Sequence, residues 1–275
     1  MRNHDPSIFD HAASTPVAPE VFDAMRPWLR SQFGNPHSDH VNGIAAGKAV
    51  GHSVDQLAEL LACDPDAVLF TSGATEANNL ALKGILLSEE FKGRHLVVSA
   101  IEHKCVLEVA AHLQRSGCDI TIVPPEPDGC VSVMRVAAAL RHDTVLVSIM
   151  IVNNETGAIQ PASDLIRLCA QYGILFHTNA AQAASRLDIK FGGLPNTLLS
   201  LSGHKFYGPR GIGALVVPRD IQSKMMPLFH GGGQQGGLRS GTVPTVLCVG
   251  FGAAAALTAK TLMTILLAVN IPVQP

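Results

Sequence analysis

The chain has 275 residues, of which 47% are hydrophobic and 15% charged, with a formal net charge of −2. So apolar a composition excludes a disordered chain, and so small a net charge gives no basic face for nucleic acid. This length supplies a substantial core for one large domain, or for one domain with a fragment of a second.

The six cysteines, Cys63, Cys105, Cys118, Cys130, Cys169 and Cys248, include no CxxC pair. They read as reduced thiols in a cytoplasmic protein. Met1 to Pro6 has no apolar stretch of the signal-peptide kind, so no secretory signal is expected.

Helix-like stretches and short apolar runs alternate along the chain. In order they are helices over Pro19–Ser31 and Ile44–Leu61, a strand over Ala67–Phe70, a helix over Thr75–Leu87 and a strand over His95–Ser99. A helix over Lys104–Gln114, a strand over Ile120–Val123, a helix over Val131–Leu140, a strand over Thr144–Val152 and a helix over Ala162–Gln171 follow. The last strands are Ile174–Phe176, Thr197–Leu201 and Gly213–Val217. The strand runs are nearly continuously apolar, as strands covered on both faces must be. Such alternation predicts an α/β fold with a mostly parallel sheet.

After Arg239 the sole Asp, Glu, Lys or Arg is Lys260. The run from Val246 to Val269 is long enough to span a bilayer. Lys260 inside it and its Ala and Gly content favour a buried helix with an apolar tail instead, so no membrane partner is expected.

Polar clusters follow four of the strands, where ligands bind in parallel sheets. They are Thr71 to Thr75, Asn153 to Gly157, Thr178 to Gln182 and Ser202 to Lys205. Singly, each is an ordinary capped turn; together they suggest one composite pocket. In Ser72-Gly73-Ala74-Thr75, small residues let backbone N–H groups approach a phosphate at a helix start. Gly43 to Lys48 resembles a P-loop but is one residue short and has no Ser or Thr after Lys48, and we reject it. Lys205, after a strand and among small residues, can be desolvated, which frees its amine for Schiff-base chemistry. The commoner fate of such a lysine is a surface turn.

Seven blocks then appear in one order: DHAASTPVAPEV, GNPHS, FTSGATEANNLAL, NNETGAIQP, FHTNAAQA, SGHKFYGPRGIGAL and HGGGQQGGLRSGTVPT. From about Phe9 to about Ala259 the chain resembles the cysteine desulfurases and selenocysteine lyases. These form the class V aminotransferase branch of the fold-type I enzymes that use pyridoxal 5'-phosphate (PLP). The resemblance implies the large domain of that fold, a mostly parallel seven-stranded sheet flanked by helices, with the small C-terminal domain largely missing. On that reading residues 1–14 are an N-terminal segment, 15–258 the PLP-binding domain and 259–275 the start of a truncated small domain.

The roles that follow are those the resemblance implies. Lys205 carries PLP as a Schiff base and shuttles protons, and His103 stacks on the ring and helps move them. Ala74 is among the cofactor-binding residues, and Thr75, Ser202 and His204 hold the phosphate. Gln182 donates to the phenolic oxygen, and Asn179 stands at the ring nitrogen. Asn154 helps hold the substrate carboxylate. Thr242 reaches the phosphate of a neighbouring subunit, implying a homodimer. The implied reaction takes L-cysteine to alanine and passes sulfur, as an enzyme persulfide, to iron–sulfur or thiolation partners.

Three departures qualify this. Asn179 stands where the family carries Asp, which removes charge assistance on the order of 1–2 kcal/mol. Gln235-Gly236 replaces a Glu-Arg pair, suggesting a less charged, looser turn. The family's catalytic Cys loop and substrate-gripping Arg belong to the small domain. Cys105 lies two residues from His103, at a helix position that more often faces the core. Selenocysteine lyase, another class V enzyme and a catalytically inactive PLP-binding or dimer-forming homologue all stay open.

Overall fold

Strand runs that are apolar at every position fold here as strands covered on both sides. The computed structural model describes residues 10–190 and 193–269. Two helices, α1 (Pro19–Arg30) and α2 (Val41–Leu61), lead into β1 (Val68–Thr71), α3 (Ala74–Leu86), β2 (His95–Ser99) and α4 (Lys104–Arg115). Next come β3 (Asp119–Val123), α5 (Val133–Ala139), β4 (Thr144–Ser148), α6 (Ala162–Gln171), β5 (Leu175–Asn179) and β6 (Thr197–Ser202). The chain continues through β7 (Gly213–Val216), α7 (Arg219–Gln222) and α8 (Thr245–Val269). The seven strands form one sheet in the order β1-β7-β6-β5-β4-β2-β3. β7 runs antiparallel to β1 and β6, and the other pairings are parallel, so the mostly parallel seven-stranded expectation holds.

Alternate residues of each strand enter different cores. On one face Leu69, Leu96, Val98, Leu198 and Leu215 meet α3 and α4 through Leu80, Ile85, Val106 and Val109. On the other, Phe70, Leu199, Leu201 and Val216 meet α1, α2 and α8, while Val97, Val147 and Phe176 meet α5 and α6. Each fully buried Leu, Val or Phe contributes about 1.5–3 kcal/mol, so the two faces together hold the sheet firmly. Edge strand β3 is the exception, with only Val123 fully covered.

Helix α8 is long and apolar enough to cross a membrane, with a mean hydropathy of 1.7 over Thr245–Thr264. Its first half is a core element: Cys248, Phe251, Ala254 and Ala255 are fully buried. Gly252 lets it cross α2 closely, since a Cβ there would lie 2.7 Å from Ser53 Cα. Further along, Met263 is 57% exposed, so the buried-helix expectation describes only the first half. The Met1–Pro6 and 270–275 readings lie outside the described residues. The rejected P-loop, Gly43 to Lys48, lies within α2 rather than at a strand–helix turn.

Two strand ends differ from expectation by three residues or more, both where polar groups lie. β4 ends at Ser148 rather than Val152, because the N–H of Met150 donates to Glu102 Oε1 at 2.6 Å instead of continuing the ladder to β2. β5 runs on to Asn179, with His177 satisfied inside the sheet and Thr178 Oγ1 buried without a partner among the described residues. His177 is fully buried, with Nδ1 2.8 Å from Ser148 Oγ and Nε2 2.9 Å from Ser200 Oγ, bracketing β4, β5 and β6. His95 bridges Thr144 and Thr121 in the same way.

Burial pushes the His177 pKa down to about 3. The imidazole is therefore neutral when folded and protonates near its ordinary value when unfolded. Stability consequently falls as pH drops below about 6.5, because the unfolded chain binds the proton first. His177→Phe removes that linkage but orphans two buried hydroxyls, costing about 2 kcal/mol at pH 7.5. In urea denaturation the variant's deficit should shrink on going to pH 5; a deficit constant with pH refutes the assignment.

Candidate active site

The carboxyl ends of the central strands open onto one cavity of about 800 Å³. Ala74, Thr75, His103, Asn154, Asn179, Gln182, Ser202, His204 and Lys205 all line it. They arrive from the turns after β1, β2, β4, β5 and β6. Thr242 does not line it and is exposed at the surface.

Lys205 is placed by its neighbour. Phe206 is fully buried, its ring centroid 5.1 Å from that of Phe251, and this peg holds the turn after β6 against α8. The turn also needs a glycine, since a Cβ on Gly203 would lie 2.9 Å from Ile212 Cγ2 and 3.0 Å from Pro209 O. Lys205 Nζ donates to the carbonyls of Ala12, at 2.5 Å, and Ala13, at 2.9 Å. Burial pulls its pKa down and Arg186 adds to this, while Asp10 opposes. A half-buried amine with a lowered pKa is the state a nucleophilic lysine needs.

The segment that holds Lys205 also lines the cavity, through Asp10, Ala12, Ala13 and Ser14. Gln182 Nε2 donates to the same Ala12 carbonyl at 2.8 Å, and Arg186 reaches His11 O at 3.2 Å. Ser14 Oγ lies 3.2 Å from His204 Nδ1 and accepts from Arg210 at 3.2 Å. Burial, then Lys205 and Arg210, lower the His204 pKa and favour its neutral form.

Helix α3 begins at the cavity wall with no side-chain cap. Its first N–H groups are an anion site in waiting, with Thr75 and Ser202 hydroxyls at hand. Gly213 makes the approach possible, because a Cβ there would lie 2.6 Å from Gly73 Cα and 2.4 Å from Leu201 O.

His103 caps α4. Its Nδ1 accepts from the Cys105 N–H at 3.1 Å and lies 3.0 Å from Cys105 Sγ. With Nδ1 an acceptor, the neutral ring carries its proton on Nε2. Cys105 is half-buried and packs against the core of α3 and α4, in line with the expectation, but it also reaches the site. It lines the cavity, with its sulfur also accepting from Asn78 Nδ2 at 3.0 Å. Helix geometry explains this: the residue two past the cap faces back over the helix start.

The Gln235 turn is not loose. Gln235 Oε1 accepts from Phe70 N at 2.6 Å and its Nε2 donates to Phe70 O at 2.9 Å, so one side-chain amide closes the free edge of β1. Gly236 follows at φ 68°, a conformation that favours glycine. Beside it Arg239 pairs with Glu76 at 2.8 Å, and Glu76 Oε2 accepts from Ser72 N at 2.7 Å. Burial would raise the Glu76 pKa, but the Arg239 and Ser72 hydrogen bonds outweigh it and hold it low. Sequence reasoning missed this pair, as it missed Glu102 and the Ala12 and Ala13 carbonyls.

The strand ends of a mostly parallel sheet thus bring a half-buried lysine beside an uncapped helix start. The family model "Aminotransferase class-V" matches residues 7–270, and the chain belongs to that family. It is 46% identical over 92% of its length to the mitosomal cysteine desulfurase of Encephalitozoon cuniculi (strain GB-M1), of which it covers 59%. It is 43% identical over 91% of its length to the cysteine desulfurase IscS of Rickettsia rickettsii (strain Iowa), of which it covers 61%. The chain thus spans about 60% of the length of these relatives. Among solved structures, SspA in complex with cysteine matches with TM-score 0.86 at 45% identity, over 90% of this chain and 71% of that one. A NifS-like protein matches with TM-score 0.89 at 35% identity, over 93% and 70%.

The family's cofactor is pyridoxal phosphate, and the cavity fits it. Lys205 offers an amine for an aldehyde, the α3 start with Thr75 and Ser202 offers donors for a phosphate, and the buried amides of Asn179 and Gln182 offer polar partners for a ring.

Proposed function

We propose that this chain is the cofactor-binding large domain, from about residue 15 to 258, of a cysteine desulfurase acting on L-cysteine or a closely related amino acid. The observation that carries this is the convergence of eight family-type residues, half-buried Lys205 among them, on one cavity together with Asn179. In this reading Lys205 takes the cofactor's aldehyde and afterwards moves a proton at its amine. Ala74, Thr75, Ser202 and His204 hold the phosphate. Gln182 releases Ala12 to donate to the phenolic oxygen. His103, with its proton on Nε2, would lie against the ring and could hand that proton on. Asn154 orients the substrate carboxylate. The bound cofactor supplies an electron sink for the substrate's Cα.

Exposed Thr242 suits a reach to a second copy, and a homodimer is part of the proposal. So are sulfur-accepting or iron–sulfur scaffold partners and a cytoplasmic location. The relatives include bacterial, mitochondrial and mitosomal proteins.

Asn179 favours a second reading, a cofactor-binding homologue with weakened chemistry. It is 7% exposed, and its Oδ1 accepts from Ala181 N at 3.1 Å. A neutral amide leaves the ring nitrogen without a counter-charge. Asn179→Asp should therefore raise the protonated fraction of that nitrogen and speed exchange of the Cα proton of alanine under saturating cofactor, by about tenfold. Equal exchange rates would show that the charge comes from elsewhere or that abstraction is blocked.

A further inference from the structure

His103 and Asn154 stand on two separate turns, after β2 and after β4. Their mutual position depends on what joins those turns. The joint is made by their neighbours, Glu102 and Asn153, neither of which lines the cavity. Glu102 is 6% exposed, and its Oε1 accepts from Ser99 Oγ at 2.7 Å and from Met150 N at 2.6 Å. One oxygen thus ties the end of β2 to the first residues beyond β4. Asn153 closes the ring from the other side, its Nδ2 donating to Ile101 O at 2.9 Å. Its Oδ1 accepts from Glu155 N at 2.9 Å and Thr156 N at 2.8 Å, which folds the turn carrying Asn154.

We infer that Glu102 is a positioning residue: with Asn153 it forms a clasp that fixes the His103 turn against the Asn154 turn and so sets the spacing between the groups for ring and substrate. The inference rests on the cofactor reading above. Backbone packing alone would leave β4 free to continue its ladder with β2, and Glu102 takes the Met150 N–H from that ladder. Burial raises the Glu102 carboxyl pKa to about 7, against the two hydrogen bonds, and its Oε2 has no partner among the described residues. The clasp uses one acceptor oxygen, which a glutamine carbonyl can supply equally well. An acid–base role would need the carboxyl itself in the cavity.

The test compares Glu102→Gln and Glu102→Ala by cofactor affinity, by the visible circular dichroism of bound pyridoxal phosphate, and by amide hydrogen exchange without cofactor. Glu102→Ala should weaken cofactor binding about tenfold and reduce the visible band, the effect of one lost buried acceptor. It should also speed exchange at residues 101–105 and 150–156 together. Glu102→Gln should stay within about twofold of the parent protein. Should Glu102→Ala not fold, Ser99→Ala and Asn153→Ala each remove one arm and should move the same signals by less. Unchanged exchange in either turn, or a glutamine variant as impaired as the alanine one, overturns the clasp. Failure of the parent protein to bind pyridoxal phosphate would instead overturn the cofactor reading, while the exchange measurement still decides the clasp.

Discussion

Lys205→Ala abolishes the borohydride-reducible adduct between pyridoxal phosphate and the protein, while Lys104→Ala and Lys190→Ala leave it intact. The expectation follows from placement. Among the lysines, Lys205 alone lines the cavity. Its amine loses charge more readily than an exposed lysine's because burial disfavours the ammonium. Among the described residues it donates only to the backbone carbonyls of Ala12 and Ala13, so the variant leaves no buried partner charge behind there. The loss of adduct should therefore be complete while folding stability falls by less than about 1 kcal/mol. Peptide mapping of the reduced, tritiated or mass-tagged adduct checks the site. An adduct of unchanged stoichiometry in Lys205→Ala would sink the assignment.

The second large effect is an expected failure. The 275-residue polypeptide, loaded with cofactor and assayed by itself, forms no persulfide from L-cysteine above the free-cofactor background. A sulfur acceptor must be a thiolate within reach of the substrate. Burial pushes Cys169 and Cys248 up to about 12 and Cys63 up to about 11, and Cys118 is raised as well. Of the six thiols only Cys105 lines the cavity. It sits in the first turn of α4, held by Asn78 and His103, and burial raises its pKa too. A thiol fixed in a helix cannot swing to a sulfur and away again. This deficit removes a step, whereas the neutral amide at Asn179 only slows one. The assay is persulfide labelling on the parent protein and on versions with each cysteine replaced. Robust labelling that vanishes with Cys105→Ser would show that this thiol has taken the role.

Much of the fold could be read along the chain. His95–Ser99 and Ala162–Gln171 fall where expected, and the other elements differ mainly by a residue or two at their ends. The larger misses, at β4 and β5, both involve polar groups satisfied by distant parts of the chain: Met150 N by Glu102 in the turn after β2, and His177 by Ser148 and Ser200. His177 falls just past the apolar run that ends at Phe176, and it joins the strand only because Ser148 and Ser200 flank it. Eight of the nine cavity residues were legible because they sit in blocks whose order is itself a signal, while His103 lies between blocks and was placed by the resemblance. Gln235 was misjudged because its role is to pair with Phe70, far away in sequence.

By itself the sequence determined the α/β class, the succession of elements and the residues that meet at the strand ends. Those signals are local: apolar periodicity reports which side of a segment is covered, and a short motif reports its own turn. Only the tertiary structure decided that β7 lies antiparallel between β1 and β6, that Ala12 and Ala13 hold the Lys205 amine, and that Glu102 binds Met150. These partners are 193 and 48 residues apart for the lysine and the glutamate. The physical reason is that a buried polar group takes whichever partner the packed layers bring to it, and the chain between the two carries no mark of the pairing.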